Sequence, residues 1–312
     1  MKRYIAGLAC AATAVVSVPA LASTAHAKAA DPVAALKAKL VSGQGVNFVD
    51  RTKIYAKDQK SQVGADRKGV LQFGPSGVVA SDQTGKLRID KETLKAIEEF
   101  SSSDEAEEGS AEDFANKLFR GLVKPERVVR VGNTSYVSGG AFGEFLPEGK
   151  TWLRFPQATL GFIGSVTQPV NAAEPTTLKA LLAHATTKRV GFYSGKITWG
   201  ELAKVSPWFR ASLSEALPKS ASKTVVNWKL YVGADQLPKR LTTSYVLNTR
   251  TTTVYDTVYS GWGTKVSVKA PAPETVAKIN ELQLEKPEAS LSILRDGVGA
   301  LVDRPATGAS RR

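Results

Sequence analysis

The sequence predicts an α+β fold in which one long antiparallel meander predominates and helices are inserted in two places. Two observations carry this. In residues 226–232 the even positions Val226, Trp228, Leu230 and Val232 are apolar, the signature of a strand with one face buried. A turn at Gly233-Ala234-Asp235-Gln236, a returning strand over 240–247 and a Thr-, Val- and Tyr-rich strand over 251–259 then follow. The second observation is that helical segments do not alternate with strands along the chain, which argues against the parallel-sheet enzyme folds.

The elements follow in order. Asp31-Pro32 places an N-cap before a Pro at the first helical position, and Val33, Leu36 and Leu40 recur at helical spacing. From Asn47 the pattern turns to strands. Residues 69–79 read as a hairpin about Gly74-Pro75-Ser76-Gly77, and 86–89 alternate like a half-buried strand. Residues 98–113 form an acidic insertion whose centre, 101–110, has no aromatic or β-branched residue and is expected to be a solvated, mobile loop. Ser110-Ala111-Glu112-Asp113 reads as a variant capping box ahead of Phe114, Leu118 and Leu122 on one helical face. Strands are expected at 128–131, 135–137 and 152–155. A helix is expected over 176–187 with Leu178, Leu181, Leu182 and Ala185 inward, and a strand at 191–197. Thr198-Trp199-Gly200-Glu201 is a second capping box, and Ser206-Pro207 opens a helix aligning Phe209, Leu213 and Leu217. Gly261-Trp262-Gly263 reads as a turn between strands. Lys265-Val266-Ser267-Val268-Lys269 alternates strictly, Pro271 and Pro273 end the sheet, and 277–312 is expected to be a largely flexible extension.

The N-terminus reads as a secretory leader. Lys2 and Arg3 form a basic start, an apolar run reaches Leu21, and Ala25-His26-Ala27 is a small-x-small cleavage site, with Ala20-Leu21-Ala22 a second one. The domains expected are therefore a signal peptide at 1–27, a binding domain at 28–276 and the extension. Gly7-Leu8-Ala9-Cys10 is a poor lipobox, because the apolar run continues well past the Cys. Of 312 residues at net charge +13, removal of 27, Lys2 and Arg3 among them, leaves 285 at +11. Cys10, His26 and Met1 leave with the leader, so the mature chain keeps His184 as its one His. That excludes disulfides, thiolate metal sites, Cys nucleophiles and multi-His centres, and no cofactor is expected.

The remaining chemistry is sparse. His184 lies on a predicted helix with no nucleophile elbow, since Gly191-Phe192-Tyr193-Ser194-Gly195 lacks the Gly-x-Ser-x-Gly spacing. Glu144, Glu148, Glu201 and Asp256 lie near element ends and would be the carboxylates of a secreted hydrolase, but nothing singles out a pair. The basic residues are spread along strands without a run of three. That suits anionic envelope polymers or a membrane surface and not nucleic acid. The tryptophans Trp152, Trp199, Trp208, Trp228 and Trp262 are spread over the strands and the 198–217 helices. Together they are expected to line a space between sheet and helices of the kind apolar ligands occupy.

The recurring order of a Trp-bearing strand, a turn before Pro238-Lys239-Arg240, a Thr-rich strand, Gly261-Trp262-Gly263 and Val266-x-Val268-x-Ala270-Pro271 resembles the LolA-like lipoprotein carrier superfamily, especially the LppX/LprG type of actinobacterial envelope proteins. Upstream, 131–137, Gly149-Lys150-Thr151-Trp152 and 191–195 fit the same scheme. The resemblance covers about residues 33–276. It implies a strongly curved, unclosed antiparallel sheet, a half-barrel, with helices on its concave face and an apolar cleft holding acyl chains. It carries over no catalytic residue. The lack of a usable lipobox favours a released or wall-associated protein over a tethered one.

The function expected is a secreted, non-catalytic protein that shields a lipid or other apolar small molecule. Its cavity lining is expected to be Trp152, Phe155, Leu182, Trp199, Trp208, Phe209, Leu213, Trp228 and Leu230. The alternatives are a carboxylate hydrolase and a structural or signalling module with a filled core.

Overall fold

The computed structural model describes residues 31–56, 64–101, 107, 110–213, 216–248 and 251–282. The expected leader, the centre of the acidic insertion and the chain beyond 282 lie outside the described residues.

The Asp31 carboxylate accepts the Ala34 N–H at 3.0 Å, and α1 (Pro32–Lys37) starts on Pro32 as the sequence predicts. Three long strands follow as a meander: β1 (Gln44–Ala56), β2 (Gly64–Gly74) and β3 (Gly77–Arg88), with Pro75 and Ser76 turning the second into the third. Two helices come next, α2 (Lys91–Ser101) and α3 (Ala111–Leu122); Ser110 Oγ caps the latter by accepting the Asp113 N–H. The hairpin of β4 (Glu126–Val131) and β5 (Thr134–Gly139) leads through the short α4 (Gly140–Gly143) to β6 (Trp152–Phe155). Two helices, α5 (Gly161–Ser165) and α6 (Pro175–Ala183), precede the pair β7 (Ala185–Arg189) and β8 (Phe192–Thr198). Then come α7 (Trp199–Val205), with both halves of its capping box formed, and α8 (Pro207–Ser212). The chain closes with β9 (Val225–Val232), β10 (Pro238–Asn248), β11 (Thr251–Lys265) and β12 (Val276–Lys278).

Among the described residues twelve strands form one curved, unclosed sheet in the order β12-β6-β5-β4-β3-β2-β1-β11-β10-β9-β8-β7. The N-terminal and C-terminal meanders join at β1 and β11, paired antiparallel from Gln44↔Lys265 to Ala56↔Thr251. The curved, unclosed α+β architecture is thus as expected.

Several local expectations change. The helix over 176–187 stops at Ala183; Ala185 already belongs to β7, where Thr186 and Thr187 take the extended backbone that β-branched side chains favour. The helix after Ser206 ends at Ser212, so Leu213 and Leu217 lie on the segment beyond it. Residues 98–101 are the last turn of α2 and 111–113 the first of α3, so the acidic insertion is helical at both ends. Gly261-Trp262-Gly263 is no turn. It is a bulge within β11, where three residues oppose one on β1 and the register shifts between Gly45 and Asn47. Residues 266–269 form no strand despite their alternation. Their backbone is bound instead by Gly43 O, through Val266 N, and by the Gln72 side chain, through Val268 N. The prolines do not end the sheet either. After them β12 pairs in parallel with β6, Val276↔Trp152 to Lys278↔Arg154, and Leu282 is buried, so the domain runs past 276.

The buried apolar residues form two cores. The larger gathers α1, α6, α7 and α8 over β8–β11, the start of β1 and the end of β2, around Trp208, Phe209, Trp228, Leu230 and Tyr255. The smaller gathers α3, α4 and α5 over the β2–β6 side, around Leu118, Phe145, Leu153 and Ile163, and takes in Leu282.

Candidate functional site

The cross-strand register explains how the concave face is covered. One lateral row reads Leu230, Leu241, Thr257, Asp50, Arg67, Gly85, Glu126 and Gly139 from β9 through to β5. Partners in a row share a face, so this row changes character at the middle of the sheet. Arg67 Nε donates to Asp50 Oδ2 at 2.8 Å, and both side chains are 1–2% exposed. The same guanidinium donates to Gln168 O at 3.1 Å and lies over the rings of Trp208 and Phe48, 5.0 and 5.5 Å from their centroids. Burial pushes the Asp50 carboxyl above the usual range, against the pull of Arg67.

Gly85 leaves a gap in the row, and α5 fills it: a Cβ there would come within 2.5 Å of Ile163 Cγ2. Glu126, next in the row, accepts the N–H groups of Phe162 and Ile163 at 3.1 and 2.9 Å. Gly161, at φ +75°, lets the chain approach that carboxylate, since a Cβ would fall 2.4 Å from Glu126 Oε1. Burial raises the Glu126 pKa to about 7, with the two backbone N–H groups opposing.

The segment between α5 and α6 is held in the same way. Gln168 O accepts Trp208 Nε1–H, Gln168 Oε1 accepts the Thr243 hydroxyl, and the Tyr259 hydroxyl accepts the Ala172 N–H. Buried Glu174 accepts from Ser206 Oγ, Thr177 Oγ1 and Trp208 N; burial raises its pKa even so. These residues are structural ties, with the Asp50, Glu126 and Glu174 carboxylates each bound to protein groups. Glu144 is bound to Lys124 and Arg120, and Asp256 to Arg240. Glu201 caps α7 and lies 3.2 Å from the half-exposed His184, and Glu148 is exposed in the turn before Gly149.

Of the nine residues expected to line a ligand space, seven converge on the larger core: Leu182, Trp199, Trp208, Phe209, Leu213, Trp228 and Leu230. There they contact protein. Trp208 meets Phe48 edge-on at 5.9 Å, and Trp199 meets Phe209 at 6.0 Å and Tyr245 at 5.0 Å. Phe155 belongs to the smaller core, against Phe142. Trp152 lies on the opposite face of the sheet: its neighbour Leu153 takes the inward position, and the Arg127 guanidinium sits 5.5 Å over the Trp152 ring outside. The expected lining is therefore packed into two cores and an outer face, except Leu213.

Leu213 opens instead onto a groove of about 590 Å³ at the edge of the larger core. The groove lies between Arg130 on β4, Asn133 in the β4–β5 turn, Gln157 and Ala158 after β6, residues of α7 and α8, and Leu213, Ala216 and Leu217 beyond α8. Seven of its eleven lining residues are Ala, Leu or Pro, and its charged ones are Arg130 and Arg210. A second groove of about 510 Å³ lies beside α1, with the Asp235–Lys239 ion pair in its wall.

Arg130 is the residue that the sequence reading missed. Its signal was present: alternation in β4 puts Glu126, Val128 and Arg130 on one face and Arg127, Val129 and Val131 on the other, so whichever face is buried carries a charge. A parallel row places Ser81 and Ser135 on either side of Arg130. That pairing is invisible until the register is known.

No family model and no curated protein matches the chain. Among solved structures, it is similar to a LolA superfamily protein from Nitrosomonas europaea at 7% identity and a TM-score of 0.29, over 74% of this chain and 90% of that one. It is similar also to a hypothetical protein from Chlamydia trachomatis at 11% identity and a TM-score of 0.27, over 76% of this chain and 96% of that one.

Proposed function

We propose that this is a non-catalytic binding protein that holds one lipid or other apolar small molecule in the groove between the β4–β5 turn and α8. The observation that carries the reading is the groove itself. Its volume lies within the roughly 300–1,000 Å³ of small-molecule sites, and an apolar wall surrounds a few polar groups. Affinity would come from removing alkyl surface from water, about 0.8 kcal/mol per buried CH₂. The site proposed is thus at the rim of the larger core, and of the nine residues expected as lining it takes in Leu213.

Export through the leader at 1–27 belongs to the same reading, with a released or wall-associated protein as the product. The outer face of the sheet supports contact with anionic envelope polymers or a membrane surface, because Arg51, Lys53, Lys68 and Lys229 are exposed there beside Val49 and Tyr231.

Native mass spectrometry of the protein purified from its source tests the proposal. The expected result is a mature chain beginning after Ala27 or Ala22 and carrying a non-covalent lipid-sized mass that exchanges with added fluorescent lipid. A chain that carries no ligand and also ignores fluorescent lipid would sink it.

A further inference from the structure

We propose that the groove selects amphiphiles with an anionic head group, which Arg130 and Arg210 hold while the alkyl chain lies along the α8 side. This rests on the binding reading above and adds the class of ligand.

Arg130 is 8% exposed and sits on the inner face of β4, opposite Ser81 on one side and Ser135 on the other. Both serines are fully buried and too short to fill the width of the row, so the long side chain has room to turn toward the groove it lines. Its charge is poorly satisfied. Nη1 donates to Gly132 O at 3.3 Å, and Nε has no hydrogen-bond partner. Among the described residues Arg130 makes no ion pair. The carboxylate that acts on it, Glu174, is occupied by Ser206, Thr177 and the Trp208 N–H.

A buried guanidinium without a paired carboxylate is costly to keep in a folded chain. A ligand anion would relieve that cost, and the apolar walls would strengthen the attraction by lowering the local dielectric. Arg210 adds a second positive group from α8; it is exposed, and its Nη1 donates to Ala203 O. Among the described residues no acidic side chain lines the groove. The lining therefore offers two donors for a carboxylate or phosphate beside Ala158, Ala211, Leu213 and Leu217 for a chain.

The test compares cis-parinaric acid with its methyl ester by ligand fluorescence, on the full mature chain and on Arg130→Gln and Arg210→Gln. The unaltered protein should bind the acid at least tenfold more tightly than the ester. Arg130→Gln should erase the difference by weakening the acid alone. Arg210→Gln, at an exposed site that leaves the fold intact, should reduce the difference about threefold. Equal affinity for acid and ester in the unaltered protein would overturn the head-group proposal and leave the binding function standing. So would an Arg210→Gln variant whose preference is unchanged. Failure of both ligands to bind would overturn the binding function itself.

Discussion

The two halves of the concave face are covered by different physics. On the β9–β11 side, side chain packs on side chain: Leu230 and Leu241 continue one row, and they share one core with Trp228 of β9 and with Trp208 and Phe209 of α8. On the β1–β4 side the same row becomes Asp50, Arg67, Gly85 and Glu126, and its charged members also bind the backbone of the segment above them. Apolar burial is non-directional and tolerates displacement. A hydrogen bond to a carbonyl or N–H fixes which residue sits where. The polar row therefore sets the path of residues 160–175, while apolar packing holds the helices down in both cores.

Three variants sharpen this contrast. The largest effect is expected for Asp50→Ala, which strands the Arg67 charge in the interior and should cost about 3–5 kcal/mol in urea unfolding. Asp50→Leu combined with Arg67→Met should recover most of that loss; no recovery would mean that the pair itself stabilises the fold. Leu230→Ala, in the apolar half, should cost about 3 kcal/mol as a cavity. It should leave the hydrogen-exchange protection of the Phe162 and Ile163 amides unchanged, and loss of that protection would show the halves to be one unit.

Next comes the pH response of Glu126. Its folded pKa, about 7, stands above its ordinary 4.5, so the folded state holds the proton more tightly. The resulting stability is fully present below about pH 4.5 and lost as pH rises through 7, roughly 3 kcal/mol in all. Glu126→Gln should remove that part of the pH dependence when unfolding is compared at pH 5 and pH 8. A variant with the same slope as the unaltered chain would assign the slope to other groups.

The halves also differed in how far they could be read from sequence. Strand β9 was plain because alternation alone sets its buried face, and the Ser110 and Thr198 caps were plain because their partners lie three residues away. Asp50 and Arg67 were not, since they are 17 residues apart and become partners only through the register of β1 on β2. Arg130 was hidden for the same reason. Residues 266–269 misled because their alternation is real but their hydrogen bonds go to Gly43 and Gln72. The tryptophans are expected to line one space together, yet Trp208 packs against Phe48 and binds Gln168 O, while Trp152 lies on the outer face.

A sheet that does not close has two rims, and each is a template on which a strand of another molecule can add. Here one rim is three residues long, Val276–Lys278, too short to seed a ladder. The other, Ala185–Arg189, is five residues long and ends in Lys188 and Arg189, both exposed. Two copies meeting along that rim would bring like charges together before the backbone could pair. Among the described residues the open architecture thus offers little edge, and the sign of the charge placed there disfavours growth into a polymer.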